Sequence, residues 1–260
     1  MHIVNREEAV LRELNLYPLW QRRGQPAPVM APVEASVTEK TVAVSEISRE
    51  QLVGEFGWPE LKAMVRDCAA CGLRAGCTQT VFGTGDEQAD WLFVGEGPGA
   101  DEDAQGEPFV GQAGRLLDNM LAAIKLKREK NVYIGNVVKC RPPGNRAPHA
   151  DEIASCLPYL QRQIELLQPK LIVALGKTAA DALLMKPLAT RLGVPTTPAK
   201  SLVMGRDDTI ASLRGRLHDY RGIPLVVTYH PAHLLRTAQD KAKVWEDLCM
   251  AVATMSAADK

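Results

Sequence analysis

The sequence predicts an α/β protein, a three-layer α/β/α sandwich with a mainly parallel four-stranded central sheet. Four short apolar runs are rich in Val, Ile and Leu and lack strict polar alternation, which is typical of strands buried on both faces. They lie at 91–94, 132–138, 171–175 and 225–229. Candidate helices alternate with the runs at 112–126, 150–167, 177–185 and 239–254. Strands that alternate with helices favour a parallel sheet covered by helices.

The N-terminal region differs from this regular pattern. Residues 1–23 have the apolar spacing of one amphipathic helix, so they are predicted to form a helical extension. Residues 24–48 combine three prolines with Ala, Val, Ser, Thr and Glu without a period, which predicts a flexible linker. The folded domain is expected at 49–260. A helix on a tether suggests the hypothesis that the extension binds a protein partner.

Net charge and hydropathy exclude some classes of protein. The chain has 260 residues and a formal net charge of zero, but the charges are uneven. Residues 86–107 hold eight acids and no Lys or Arg, whereas residues 186–243 hold ten Lys or Arg against four acids. This pattern allows a basic face beside an acidic pocket, but the charge counts alone favour an ordinary solvated surface. No run of eighteen apolar residues predicts a membrane span, and charges near the N-terminus argue against a signal peptide. We therefore expect a cytoplasmic protein, and a monomer.

Polar segments follow three of the predicted strands. The first strand runs into Gly-Glu-Gly-Pro-Gly at 95–99, and the second contains Asn136 and runs into a basic, proline-rich segment at 139–146. The last strand ends at His230 and Pro231. Ligands of open parallel sheets bind outside the carboxyl ends of the strands. The sequence therefore predicts one site at this edge.

Four cysteines have the spacing of metal ligands. Cys68 and Cys71 form a C-x2-C pair, whose tight turn points both sulfurs the same way. Cys140 follows a predicted strand and Cys156 lies in the next helix, so a crossover can bring them together. Four thiolates fit either zinc or an iron–sulfur cluster, and the spacing leaves both open.

The order of these motifs resembles the family 4 uracil-DNA glycosylases, the bacterial and archaeal enzymes that carry a [4Fe-4S] cluster. The resemblance covers roughly residues 60–254. It is carried by the C-x2-C pair, 78–83, 95–99, Pro-Phe-Val-Gly at 108–111, Asn-x2-Lys-Cys-Arg-Pro-Pro-x-Asn-Arg at 136–146, Cys156 and His-Pro-x3-Leu-Arg at 230–236. Family 5 enzymes lack this form of the first loop. The uracil-DNA crosslinking relatives carry a histidine on an inserted loop near the position of Asn145.

The chain departs from the family pattern in two places. Cys77 stands where the family leads us to expect Arg, and residues 1–60 are an extension that the family core does not need. We interpret Cys77 as a spare thiol and Cys249 as a helix core position. The resemblance thus implies a [4Fe-4S] cluster on Cys68, Cys71, Cys140 and Cys156.

The resemblance implies an activity, and the chemistry of the side chains agrees with it. The amide of Asn136 offers one acceptor and one donor, which match N3–H and O4 of uracil, whereas cytosine reverses that edge. His230 is expected to face uracil O2, where negative charge develops as the bond breaks. Glu102 is the carboxylate that would orient the water. Asn136, His230 and Glu102 are the predicted catalytic residues.

The remaining site residues follow from the same resemblance. Phe109 would stack on the flipped base, while Glu96, Gly97 and Pro98 would line the base pocket. The loop at 95–99 lacks the Lys-Ser/Thr of a P-loop, so nucleoside triphosphate binding is not expected. The predicted DNA contacts are Asn145, Arg146, Leu234, Leu235 and Arg236, with the leucines as a wedge and the basic residues on phosphates.

The predicted function is hydrolysis of uracil from uracil-containing DNA, leaving an abasic site for base excision repair. Two alternatives remain at the level of the sequence. One is a module that binds or crosslinks uracil-containing DNA without turnover. The other is a structural domain stabilised by zinc.

Overall fold

The computed structural model describes residues 49–184 and 209–258. The predicted helical extension and linker at 1–48 lie outside the described residues. Within the described part of the chain, no helix is long and apolar enough to cross a membrane.

A mixed sheet forms the centre of the fold. Its strands are β1 (Thr84–Gly85), β2 (Trp91–Gly95), β3 (Val132–Asn136), β4 (Leu171–Leu175), β5 (Leu217–Tyr220) and β6 (Ile223–Thr228). They are arranged in the order β1-β3-β2-β4-β6-β5. The four central strands are parallel, and β1 and β5 pair antiparallel at the two edges. The predicted parallel sheet is therefore present, and two short edge strands extend it.

Helices cover both faces of this sheet. They are α1 (Arg49–Gly54), α2 (Trp58–Arg66), α3 (Ala100–Gln105), α4 (Gln112–Ala123), α5 (Ala150–Leu167), α6 (Lys177–Leu184), α7 (Ile210–Leu213), α8 (Pro231–Arg236) and α9 (Lys241–Ala258). Short 3-10 helices lie at Gly72–Gly76, Pro143–Asn145 and Ala238–Asp240. The predicted α/β sandwich is thus confirmed, and the predicted helices agree with α4, α5, α6 and α9 within a few residues.

Each of the four central strands contributes to two separate cores. In β2, Leu92 and Val94 pack with α1, α2, α5 and α6, whereas Trp91 and Phe93 pack with α4, α8 and α9. Successive side chains of a strand point to opposite faces, so an unbroken apolar run is needed where both faces are covered. This is why the central strands lack polar alternation.

The chain connections change direction between β2 and β4. After β2 the chain leads to β3 on one side, and after β4 it leads to β6 on the other. A crevice opens at the carboxyl ends of strands where the order reverses in this way. Strand β3 ends at Asn136 rather than at 138. Beyond it, the N–H groups of Val137 and Val138 donate to the carbonyls of Gly95 and Glu96. These bonds hold the loop after β2 at the crevice.

One prediction about the core is wrong. Cys249 on α9 is exposed rather than packed in the core, while its neighbour Leu248 is 2% exposed. Two adjacent helical residues point about 100° apart, so only one of them faces the sheet.

Candidate active site

A cavity of about 470 Å³ lies in the crevice at the carboxyl ends of β2, β3, β4 and β6. Its volume is in the usual range for small-ligand sites. The three polar segments predicted to converge do meet here. The predicted residues in its lining are Glu96, Gly97, Pro98, Glu102, Phe109, Asn136, Asn145, Arg146, His230 and Arg236.

Asn136 lies at the base of this cavity, at the end of β3. Its side chain is 2% exposed, and its Oδ1 has no hydrogen-bond partner among the described residues. A buried acceptor without a partner costs about 1–3 kcal/mol, and nearly all buried polar groups in folded proteins avoid that cost. An unpartnered amide oxygen in the wall of a cavity indicates a ligand that supplies a donor.

Phe109 lines the cavity beside Asn136, and Gly95 packs against both side chains. A Cβ at Gly95 would lie 2.5 Å from Asn136 Oδ1 and 2.6 Å from Phe109 Cζ, so a side chain there does not fit. Phe109 has a φ of 57°, and a Cβ at Gly114 would lie 1.7 Å from its carbonyl oxygen. Arg128 also donates to that oxygen. The aromatic ring is therefore held by a closely packed backbone rather than by a regular element.

His230 lies against Phe109 in the lining of the cavity. Their ring centroids are 5.5 Å apart, with an interplanar angle of 29°. Nδ1 of His230 accepts a hydrogen bond from Ala232 N–H at 3.1 Å, which caps the N-terminus of α8. Burial, with a smaller contribution from the nearby Arg236, lowers the pKa of His230 to about 4. The imidazole is therefore neutral at pH 7, and because Nδ1 is an acceptor its proton resides on Nε2.

The two predicted glutamates are held in different ways. Glu96 accepts a hydrogen bond from the hydroxyl of Thr178 on α6, which fixes its carboxylate across the crevice between β2 and β4. Glu102 accepts backbone N–H bonds from Gly99 at 3.0 Å, Val110 at 3.1 Å and Gly111 at 3.3 Å. Glu102 thus ties the loop after β2 to the loop that carries Phe109, and it also lines the cavity.

The predicted DNA contacts differ in whether their side chains already bind other residues of the protein. Arg236 is exposed and makes no ion pair with a described residue. Arg146 forms a bidentate pair with Glu152 at 2.8 and 2.7 Å, which lowers the pKa of that carboxyl to about 2. Asn145, with a φ of 56°, accepts from Arg141 Nε at 2.7 Å. Among the described residues, the rim therefore offers Arg236 without an ion-pair partner and Arg146, which is already partly neutralised.

The two predicted wedge leucines have different environments. Leu235 is 48% exposed, whereas Leu234 is 1% exposed and packs in the core beneath α8 and α9. Leu234 as a DNA contact is therefore wrong, because its side chain is inaccessible in this fold. Of the two leucines, Leu235 is the one whose side chain is exposed.

The four predicted cysteine ligands line one small, mainly apolar pocket beside the core. Cys68, Cys71, Cys140 and Cys156 are in its wall, and Cys77 is not. Burial raises the pKa of Cys156 to about 11. No three His, Cys, Asp or Glu side chains within 49–184 and 209–258 have the close geometry of a metal site.

Two features of the site were not predicted from the sequence. Thr178, which holds Glu96, is 82 positions away in the chain, and no local motif marks it. Asp103, for which the sequence suggested no role, is 4% exposed and accepts hydrogen bonds from the N–H and hydroxyl of Thr78 at 2.8 and 2.9 Å. It therefore anchors α3 to the segment that follows Cys77.

Comparisons with known proteins agree with this geometry. The model of the uracil DNA glycosylase superfamily matches residues 82–249. A type-4 uracil-DNA glycosylase of Thermotoga maritima is 41% identical over 71% of this chain and 87% of that protein. The type-4 enzyme of Archaeoglobus fulgidus is 40% identical over 67% of this chain and 81% of that protein. The type-4 enzyme of Pyrobaculum aerophilum is 36% identical over 74% of this chain and 91% of that protein.

Proposed function

Since the chain belongs to the uracil DNA glycosylase superfamily, and within it to the type-4 uracil-DNA glycosylases, we propose that it hydrolyses the N-glycosidic bond of deoxyuridine in DNA. The products are free uracil and an abasic site. The observation that carries the proposal is the unpartnered Oδ1 of Asn136 in the same cavity as a neutral His230. One group offers an acceptor to the base, and the other offers a donor.

The cavity selects uracil through the amide of Asn136. N3–H of uracil donates to Oδ1, and O4 accepts from the amide nitrogen. Cytosine presents an acceptor at N3, so it leaves Oδ1 without a partner and adds a second unpaired buried group, at about 1–3 kcal/mol each. Phe109 supplies the flat surface on which the base stacks. A stacked, hydrogen-bonded base offsets part of the few kcal/mol needed to flip the nucleotide out of the duplex.

His230 stabilises the departing base. As the glycosidic bond breaks, negative charge develops on O2 of uracil, and Nε2–H is the donor available to it. The hydrogen bond from Ala232 to Nδ1 supports this role, since it fixes the tautomer before substrate binds. A low pKa also suits the role, because the ring donates a hydrogen bond without transferring its proton.

Glu102 is the carboxylate that orients the attacking water. Oε1 accepts two backbone N–H bonds, whereas Oε2 accepts one, so a lone pair of Oε2 remains for a water. Glu96, held by Thr178, lines the base pocket with Gly97 and Pro98. The developing positive charge on the sugar is favoured by these carboxylates.

The rim of the cavity binds the DNA strand. Arg236 follows the exposed Leu235 on α8, so a phosphate contact and an apolar wedge lie side by side. Leu235 fills the space that the flipped nucleotide leaves in the duplex. Arg146 and Asn145 border the same cavity and contribute polar contacts to the backbone.

Cys68, Cys71, Cys140 and Cys156 hold a [4Fe-4S] cluster. The donor set supports this, because four thiols surround one apolar pocket and a metal centre would favour their thiolate forms in spite of burial. The cluster would supply four covalent cross-links between the segment at 68–71, the end of the β3 loop and α5. We therefore assign it a structural role at the edge of the pocket, where Cys140 is four residues from Asn136.

The test is a glycosylase assay with matched variants. Purified protein is incubated with a uracil-containing oligonucleotide, and abasic sites are revealed by alkaline strand cleavage. We expect cleavage with the native chain, and its loss in Asn136→Ala and His230→Ala while the circular dichroism spectra stay native. Full activity in both variants would overturn the pocket assignment. A denaturation-stable protein–DNA adduct without uracil release would instead support the crosslinking alternative.

A further inference from the structure

Lys139 is a buried cation directly beneath the site. Its side chain is 1% exposed, although lysine is almost never fully buried without a charged partner. In the described part of the chain, no carboxylate forms an ion pair or a hydrogen bond with it. An apolar residue of similar length would fit a core position at lower cost, so the ammonium group needs an explanation beyond packing.

The hydrogen bonds of Lys139 lead to the end of β3. Nζ donates to the main-chain carbonyl of Asn136 at 2.9 Å and to Gln163 Oε1 at 2.6 Å. The amide nitrogen of Gln163 donates in turn to Phe82 O at 3.0 Å and to Tyr133 Oη at 3.3 Å. These bonds orient the Gln163 amide so that its oxygen faces the lysine. Gln163 on α5 thus holds the ammonium in place, and the ammonium donates to the carbonyl of Asn136.

The peptide after Asn136 is consequently fixed on both sides. Its carbonyl accepts from Lys139, and its N–H, which belongs to Val137, donates to Gly95 O at 3.0 Å. With the plane of this peptide fixed, the Cα–Cβ bond of Asn136 has one direction. That direction starts the Asn136 side chain toward the lining of the cavity, and its buried Oδ1 has no hydrogen-bond partner among the described residues.

Lys139 is also attached to the cysteine pocket through its backbone. Its N–H donates to Cys156 Sγ at 3.2 Å, and its carbonyl accepts from Val81 N–H at 2.7 Å. Its main chain is therefore held at the cysteine pocket, while its side chain extends toward the end of β3. This arrangement gives the ammonium a rigid base.

From this geometry we infer that Lys139 is a positioning residue for the amide that recognises uracil. The ammonium holds the carbonyl of Asn136, and this fixes the backbone that carries the amide side chain in the lining of the cavity before uracil binds. The inference rests on the proposed function of the cavity and adds a determinant of its affinity for uracil. Lys139 has no contact with the base in this account and acts only through Asn136.

The test compares the inhibition constant Ki of free uracil and kcat/KM across three variants. Lys139→Met keeps the length and apolar bulk of the side chain but removes the donors, so we expect Ki to rise and kcat/KM to fall by roughly tenfold or more. Gln163→Met leaves the lysine in place but removes its second acceptor, and a smaller change in the same direction is expected. Affinity for a uracil-free oligonucleotide should stay at the native value, because the phosphate contacts lie elsewhere.

Asn131→Gly is the matched control. Asn131 borders the other end of β3, where Oδ1 accepts from Asp90 N–H at 2.6 Å, and its φ of 56° suits glycine. This variant should lose stability while Ki stays native. A native Ki in folded Lys139→Met, or in Gln163→Met if the lysine variant does not fold, overturns the inference. An equal rise of Ki in Asn131→Gly overturns it too. A native chain that releases no uracil refutes the proposed function instead.

Discussion

Gly95→Ala adds one methyl group at the point where three parts of the site meet. The new Cβ would lie 2.5 Å from Asn136 Oδ1 and 2.6 Å from Phe109 Cζ, whereas ordinary contacts begin at 3.4 Å. The differences require the two groups to retreat by about 0.9 and about 0.8 Å. Misplacement of a site by about 1 Å costs on the order of 100-fold in rate, which corresponds to about 2.7 kcal/mol of transition-state stabilisation.

The assay for this variant is kcat/KM for uracil release, measured beside thermal unfolding. We expect kcat/KM to fall by about 100-fold and the unfolding midpoint to fall as well, because the Phe109 ring is closely packed; activity is therefore measured well below that midpoint. Gly54→Ala is the control, because no atom lies within 4 Å of a Cβ there, and both changes reduce the freedom of the unfolded chain alike. Native kcat/KM in Gly95→Ala would refute the assignment of Asn136 and Phe109 as residues that contact the uracil base.

Three further predictions follow from the site and its surroundings. Because the pKa of His230 is lowered from 6.5 to about 4, the unfolded chain binds an extra proton between these two pH values. The free energy of unfolding, measured with urea, should therefore fall as the pH drops from 6.5 to about 4. A fall of equal size in His230→Gln would contradict this. Leu234→Ala should lower the free energy of unfolding by about 2–5 kcal/mol. Leu235→Ala should leave that free energy native and reduce activity on double-stranded DNA more than on single-stranded DNA. Equal free energies of unfolding in the two variants would contradict a buried Leu234 beside an exposed Leu235. Cys140→Ser should lose bound iron and visible absorbance in anaerobically purified protein while Cys249→Ser retains both, and iron retained in Cys140→Ser would exclude Cys140 as a ligand.

The sequence predicts the central strands, because their burial on both faces gives each of them a continuous apolar run. The central strands are apolar because helices cover both of their faces, so their runs stand out. Strand β1 has two residues, and β5 alternates exposed and buried positions at the edge of the sheet. Neither has an apolar run to mark it. Edge pairing depends on a neighbouring strand that a local window of sequence does not contain.

In the site, likewise, residues in short motifs could be predicted from the sequence, and residues that act through distant partners could not. Asn136 and His230 belong to short motifs at strand ends, so their convergence follows from the parallel sheet. Thr178 and Gln163 act through partners far away in the chain, and only the packing of α6 and α5 reveals them. Adjacent apolar residues on a helix are equally ambiguous, because the docking of α8 decides which of the two leucines at 234–235 is buried.

The most direct test of the central claim is the number of uracil molecules that each protein molecule releases. Excess uracil-containing oligonucleotide is incubated with a limiting amount of protein, and free uracil and abasic sites are both counted over time. Hydrolysis by this site predicts equal numbers of the two products, rising well beyond one per protein molecule, and neither product with Asn136→Ala. Bound DNA without free uracil, or release that stops at one equivalent with the protein attached to DNA, would contradict a glycosylase that turns over.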